Sequence, residues 1–286
     1  MKSNPLLLVA LLSGGCATSA PLSLNKAGSR FIDCDQVRLH YKVLGSGEPT
    51  LVLVHGWSCD MSLWREQVKG LAPLHRLVLI DLPGHGSSAA PAVNYSQERF
   101  ARAVEAVLRE EHIDHAFLAG HSMGTQVIRQ FYRLFPLKTD GLIAVDGSVR
   151  AFFTDPKAVD AFLGPLRGEQ FAMNMRARVD GILTPVKSEA LKAEVREVMT
   201  RTPQHVVVSA GEGMFDPAIW TDDPIEVPLL LILARSPFWN DEFRAYVERL
   251  APQADYRVID DVSHFLMLEK PETVNAMIEE FVRRPR

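Results

Sequence analysis

Short aliphatic runs recur along this chain and alternate with segments of helical periodicity. The runs are LVLV at 51–54, LVLI at 77–80, AFLA at 116–119, LIAV at 142–145 and LLLIL at 229–233. Continuous aliphatic runs of this length are typical of strands buried on both faces of a parallel sheet. The alternation therefore predicts an α/β protein with a mostly parallel sheet covered by helices. A length of 286 residues suits one large domain of this class.

The alternation of strand and helix stops at about residue 151 and resumes at about residue 227. The sequence between these points is amphipathic with a helical period. We therefore predict a core formed by residues 30–150 and 227–286, with a helical cap inserted at 151–226. A helical block near the carboxyl ends of the strands is well placed to cover a pocket there.

The first twenty residues have the pattern of an export segment. A positively charged start is followed by a short apolar stretch and then by small residues leading into Cys16. This pattern resembles a bacterial lipoprotein signal and predicts a lipidated Cys16 that tethers the protein to a membrane. Ordinary secretion with cleavage near Ala20, or an uncleaved segment, are the alternatives. The expected location is the cell envelope, the periplasm or the exterior.

Charge and cysteine content exclude several classes of partner. The net charge is −4, and no run of Lys or Arg suggests a nucleic-acid partner. No spacing of His, Cys and Asp fits a metal site. Cys34 and Cys59 could form a disulfide in an oxidising compartment. The favoured interpretation is that they are two separate, small buried residues.

The sequence GHSMG at residues 120–124 lies between a predicted strand and a predicted helix. It fits the pattern G-x-S-x-G, which in this context holds a serine hydroxyl exposed on a strained turn. Glycines on both sides are needed because larger side chains would meet neighbouring backbone. Ser122 is therefore the candidate nucleophile. A glycine-rich turn without catalytic function is the alternative interpretation.

A serine hydroxyl needs a base to take its proton, and His264 is the candidate. It follows the predicted strand at 256–259 through a short loop, so it lies at the same edge of the sheet as Ser122. The order of serine before histidine also agrees with a hydrolytic triad. His55, His85 and His121 lie at strand ends too, but His55 and His121 fall within glycine motifs.

Several motifs together resemble the α/β-hydrolase superfamily, in the form that has a helical cap. They are HGW at 55–57, DLPGHGSS at 81–88, the turn at Ser122, and SH at 263–264 followed by EKP at 269–271. The resemblance implies an eight-stranded, mostly parallel sheet whose first two strands are antiparallel. It also implies a Ser-His-acid triad and no cofactor. An oxyanion hole is implied at the backbone N–H groups of Trp57 and Met123.

The acid of the triad is not fixed by the resemblance. In most relatives it follows the seventh strand, where Asp241 is the nearest carboxylate, although Asp241 also fits an ordinary helix start. Some relatives place it after the sixth strand, where Asp146 follows a buried aliphatic run. A carboxylate at such a position needs a partner, which His264 would supply. We favour Asp146 over Asp241, with Asp260 and Asp261 as further alternatives.

Serine at the turn determines the class of chemistry. Relatives that carry aspartate there form alkyl esters, whereas serine forms an acyl-enzyme. We therefore predict hydrolysis of a carboxylic ester or related acyl bond in a small to medium apolar substrate. Apolar cap residues are candidates for lining the pocket, although packing of the cap on the sheet is the favoured explanation for them. They are Phe152, Phe153, Phe162, Phe171, Met173, Met175, Met214 and Phe215.

Two kinds of alternative function stay open. Lactone hydrolysis, cofactor-free perhydrolysis of the haloperoxidase type and acyl transfer to another acceptor would use the same three residues. A ligand-binding protein that keeps the fold but turns over negligibly belongs to a different class. Tight binding without covalent labelling of Ser122 would distinguish it.

Overall fold

A computed structural model describes residues 22–151 and 154–284, and eight β-strands form one sheet in this part of the chain. The aliphatic runs recognised in the sequence lie within strands, and every residue of β3, β4, β5 and β7 is buried. The strands are β1 (Arg30–Cys34), β2 (Val37–Leu44), β3 (Leu51–Val54), β4 (Leu77–Asp81), β5 (Ala116–His121), β6 (Thr139–Val145), β7 (Leu229–Ala234) and β8 (Asp255–Ile259).

The strands lie in the order β1-β2-β4-β3-β5-β6-β7-β8. Strand β2 pairs antiparallel with β1 and β4, and all the other neighbouring pairs are parallel. This arrangement confirms the predicted eight-stranded, mostly parallel sheet. The direction of winding reverses at β3, which lies between β4 and β5. Loops at the carboxyl ends of strands beside such a reversal form the usual ligand crevice of an open α/β sheet.

Helices flank the sheet, as the sequence predicts. The pair α1 and α10 pack together, as do α2 and α3. Ser96 caps α2, because its Oγ accepts a hydrogen bond from the Arg99 N–H at 3.2 Å. The core helices are α1 (Arg65–Leu71), α2 (Gln97–Glu110), α3 (Met123–Leu134), α8 (Asp241–Leu250), α9 (Leu266–Glu269) and α10 (Pro271–Val282).

The segment predicted as a cap contains four α-helices among its described residues. They are α4 (Pro156–Arg167), α5 (Phe171–Leu183), α6 (Glu189–Thr200) and α7 (Gln204–Phe215). Several hydrogen bonds join helix α7 to the core. The indole N–H of Trp57 donates to the Val207 carbonyl at 2.9 Å, and the Tyr95 N–H donates to Ser209 Oγ at 3.0 Å. Helix α7 therefore lies against the loops that follow β3 and β4.

The apolar cap residues have different environments. The ring of Phe162 lies 5.9 Å from that of Trp57 and 5.3 Å from that of Phe215, measured between centroids. Met175 and Met214 are buried, whereas the side chain of Met173 is 59% exposed. Phe171 is partly buried against the core. Phe152 and Phe153 lie outside the described residues, so their predicted role stays a prediction.

The predicted export segment, including Cys16, also lies outside the described residues. In the parts of the chain that are described, no helix combines the length and hydrophobicity needed to cross a bilayer. Cys34 and Cys59 are free thiols, as the favoured interpretation predicts. Cys59 is buried, and burial raises the pKa of its thiol.

Two neighbouring histidines are buried beneath the loops that follow β3 and β4. Their rings lie 5.2 Å apart. His55 Nε2 accepts a hydrogen bond from the Leu82 N–H at 3.0 Å, so the proton of the neutral ring is on Nδ1, which lies 2.8 Å from the Gly56 carbonyl. Burial lowers the pKa of His55. Burial, followed by the charge of His55, lowers the pKa of His85 to about 3.

The central strand gives a direct test of core packing. Leu53 in β3 is fully buried, and Leu53→Ala is expected to reduce the free energy of unfolding by about 2–5 kcal/mol. Leu137→Ala is the matched control, because the side chain of Leu137 is 95% exposed. Urea denaturation of both variants measures the difference. Equal free energies of unfolding for the two variants would contradict the burial of Leu53.

The buried His85 makes stability depend on pH. Its pKa is about 3 in the folded protein against about 6.5 in the unfolded chain, so the unfolded state binds more protons between these values. Stability is therefore lost as pH falls through this window. In His85→Asn the slope of unfolding free energy against pH should flatten by up to about 1.4 kcal/mol per pH unit.

Denaturation at a series of pH values measures this slope. His112→Asn is the matched control, because His112 is exposed and has a φ of 53°, a conformation that Asn tolerates well. The control should keep the slope of the parent protein. If His85→Asn kept the parent protein's slope of unfolding free energy against pH, His85 would not contribute to that slope.

Candidate active site

Ser122 lies on a strained turn between β5 and α3. Its backbone has φ 54° and ψ −118°, outside the regions that non-glycine residues usually occupy. The Ser122 N–H donates to the Val145 carbonyl at 3.1 Å, which fixes the turn beside the end of β6. A Cβ on Gly120 would lie 2.2 Å from the Gly124 carbonyl oxygen, and one on Gly124 would lie 2.4 Å from that of Val54. Both glycines are therefore required by the close approach of backbone.

Asp146 follows the last residue of β6 and is buried. Its φ is 43°, and its N–H donates to the Ile232 carbonyl of β7 at 2.8 Å. The carboxylate oxygen Oδ1 accepts hydrogen bonds from the Ala234 N–H at 2.9 Å and the Trp239 indole N–H at 3.0 Å. The other oxygen, Oδ2, is thereby directed toward the loop that follows β8.

His264 lies on that loop, and its Nδ1 is 2.6 Å from Asp146 Oδ2. The histidine side chain is 30% exposed, whereas that of Asp146 is 7% exposed. The loop is held by its own polar side chains: Ser263 N–H donates to Glu269 Oε2 at 2.6 Å, and Phe265 N–H donates to Ser263 Oγ at 3.1 Å. The imidazole therefore has one edge against a buried carboxylate and the other toward solvent.

His121, the residue before Ser122, connects the serine turn to the histidine loop. Its Nε2 lies 2.9 Å from the His264 carbonyl oxygen, and the two rings are 4.6 Å apart. Because a carbonyl oxygen only accepts, Nε2 carries the proton of His121. Burial, followed by the charge of His264, lowers the pKa of His121 well below its usual value. A neutral His121 therefore holds the backbone of His264 close to Ser122.

The other candidate acids lie elsewhere. Asp241 is the exposed first residue of α8, where the helix is capped by Asn240 Oδ1 accepting from the Phe243 N–H at 2.9 Å. Asp260 is exposed and paired with Arg235. Asp261 is exposed, with a φ of 57°. Of the carboxylates named from the sequence, the structure brings Asp146 into hydrogen-bonding contact with His264.

The loop that follows β3 lies directly against the serine. A Cβ built on Gly56 would be 3.1 Å from Ser122 Cβ and 3.1 Å from His121 Nδ1, so this loop approaches Ser122 as closely as glycine allows. The next residue is Trp57. On the other side, Met123 is the first residue of α3, and the first N–H groups of a helix have no partner within it. Met123 therefore follows Ser122 directly in the chain, whereas Trp57 follows a glycine that lies against Ser122 in space.

Two residues of this site were not identified from the sequence. The sequence places His121 only within the glycine motif, and it predicts no role for Trp239. The motif itself was the available signal for His121, since any side chain there lies beside Ser122. No local pattern distinguishes Trp239 from a core aromatic residue. Within residues 22–151 and 154–284, no cluster of three or more His, Cys, Asp or Glu side chains is placed to hold a metal ion.

Known proteins resemble this chain over most of its length. A pimeloyl-[acyl-carrier protein] methyl ester esterase from Aeromonas hydrophila subsp. hydrophila is 27% identical over 262 residues, covering 82% of this chain and 95% of the relative. A 2-(acetamidomethylene)succinate hydrolase from Mesorhizobium japonicum is 23% identical over 279 residues, covering 89% and 95%.

Solved structures show the same fold. An esterase from Exiguobacterium antarcticum has a TM-score of 0.77 at 18% identity, covering 89% of this chain and 99% of the esterase. The enol-lactonase from Burkholderia xenovorans LB400 has a TM-score of 0.76 at 21% identity, covering 89% and 100%. Residues 51–277 match the family described as "Alpha/beta hydrolase family". This match extends over more than half of the sequence, and the chain therefore belongs to the α/β-hydrolase family.

Proposed function

We propose that this protein is a serine hydrolase that cleaves carboxylic esters through an acyl-enzyme on Ser122. The observation that carries the proposal is the 2.6 Å contact between His264 Nδ1 and Asp146 Oδ2, beside the strained turn that presents Ser122. A nucleophile, a base and a carboxylate that orients the base are the three parts that this chemistry needs.

In the proposed reaction, His264 acts first as a base. Its Nδ1–H donates to Asp146, so Nε2 is the unprotonated nitrogen that accepts the Ser122 proton. The serine oxygen bonds to the carbonyl carbon of the ester, and the imidazolium returns the proton to the leaving alcohol. Water then attacks the acyl-enzyme with the same proton transfers, and the carboxylic acid leaves. Asp146 stays ionised and stabilises the imidazolium in both halves.

The negative charge that develops on the carbonyl oxygen needs fixed donors. We assign this role to the backbone N–H groups of Met123, which follows Ser122, and of Trp57, which follows Gly56. The start of α3 adds the positive end of a helix dipole at the same point. Loss of one such donor typically costs about 2.7–4 kcal/mol at the transition state.

We propose a substrate with a small to medium apolar acyl group. The ring of Phe162 contacts both Trp57 and Phe215, and these aromatic side chains form an apolar surface above the loop that carries one oxyanion donor. The relative from Aeromonas is named as a methyl ester esterase, which supports ester cleavage as the reaction class. Lactones are cyclic esters and would pass through the same acyl-enzyme, so they belong in the substrate panel.

Covalent labelling tests the nucleophile. Incubation with a fluorophosphonate should give a single adduct by intact mass, and the protein should hydrolyse p-nitrophenyl esters. Ser122→Ala should lose both the adduct and the turnover. Ser46→Ala is the matched control at an exposed serine and should retain both. A folded parent protein without adduct and without turnover would favour the ligand-binding alternative.

The acid is tested by a pair of Asp→Asn variants. Asp146→Asn removes the charge that orients His264, and kcat should fall roughly 10³- to 10⁴-fold with the fold retained. Asp241→Asn, at the exposed start of α8, should change kcat less than about threefold. Steady-state kinetics on the same ester measures both, with circular dichroism to verify folding. The reverse ranking would reject Asp146 as the acid.

A further inference from the structure

The indole of Trp239 makes a polar contact with the buried carboxylate that we propose as the triad acid. Its N–H donates to Asp146 Oδ1 at 3.0 Å. We propose that Trp239 is a positioning residue, which holds the carboxylate in the rotation that presents Oδ2 to His264. This inference rests on the proposed function, because it concerns how the same triad is held.

The two oxygens of the Asp146 carboxylate have different hydrogen-bond partners. Oδ1 accepts from the Ala234 N–H and from Trp239, whereas Oδ2 lies 2.6 Å from His264 Nδ1. The terminal torsion of an aspartate is broad, so its rotation is set by its partners rather than by intrinsic preference. Without the indole, Oδ1 would keep one donor, and the plane of the carboxylate would be defined less strictly.

Tryptophan has two properties that suit this position. Its indole is a donor only, so it binds an ionised oxygen and cannot compete with the carboxylate for the proton on His264 Nδ1. Its ring also brings a large apolar surface next to a side chain that is 7% exposed. Asp146 Oδ1 is therefore bound by two donors whose positions are set by the protein.

Trp239 is itself held in place by the start of α8. The backbone N–H of Trp239 donates to the Ser236 carbonyl at 3.1 Å, and the indole ring lies 4.8 Å from the ring of Phe243. Phe243 is fully buried, and its own N–H is bound by the capping residue Asn240 at 2.9 Å. The start of α8 thus holds the indole of Trp239 in place, and this indole holds the carboxylate of Asp146.

Trp239 lies on the loop that follows β7. In most members of the family, this loop carries the acid of the triad. Here that loop contributes a hydrogen-bond donor, and the acid comes from the end of β6. The loop after β7 therefore serves the same imidazole indirectly, through Asp146.

The experiment removes the indole donor and compares kcat with KM. Trp239→Phe should lower kcat roughly 10- to 100-fold, the loss expected for a hydrogen bond to a charged group, with KM changed less than about threefold. The rate of fluorophosphonate labelling should fall in parallel. Trp220→Phe is the matched control, because it also removes an indole donor, which binds the Met214 carbonyl at 3.0 Å. The control should keep the parent kcat.

A second replacement separates the hydrogen bond from packing. Benzothienylalanine at position 239 has nearly the same ring shape but carries sulfur in place of the N–H. The proposal expects its kcat to fall as in Trp239→Phe, and the low-field proton resonance of His264 Nδ1–H to shift. If the protein with benzothienylalanine kept the kcat of the parent protein, the proposal would be overturned, since only the shape of the ring would then matter. A parent protein that is never labelled at Ser122 would instead refute the proposed function itself.

Discussion

A single buried carboxylate is the point at which three segments of the candidate active site meet. Asp146 accepts hydrogen bonds from Ala234 at the end of β7 and from Trp239 before α8, and it lies in contact with His264 after β8. A charge in this environment would be costly without such partners. The sheet brings three segments from the last third of the sequence to one edge, and each of them supplies a partner for this one side chain.

The remaining side of the site is set by close approach of backbone. Strands β3 and β5 are neighbours in the sheet, so the loops that follow them meet over their carboxyl ends. Gly56, Gly120 and Gly124 each lie where a Cβ would come within 3.1 Å of another atom. The two loops are therefore packed closely beside Ser122, whose backbone is itself strained.

Local sequence was sufficient for the sheet and for Ser122. Runs such as Leu51–Val54 are buried on both faces, and the two glycines that flank Ser122 form a pattern that is readable within five residues. The acid was left open among four aspartates, because the choice depends on which carboxylate faces His264 across the sheet. Trp239 was missed for the same reason: its role depends on a partner 93 residues away, and no periodicity encodes that contact.

Trp57 belongs at once to the core and to the cap. Its backbone follows Gly56, which lies against Ser122, while its indole N–H is bound to the Val207 carbonyl of α7 and its ring contacts Phe162 of α4. In a hybrid protein that received a cap from another hydrolase, this indole would lose its acceptor and its aromatic neighbour together. The cap is therefore not an interchangeable module: whichever cap is grafted must supply a carbonyl and an apolar face for Trp57, or the loop beside the serine must be redesigned with it.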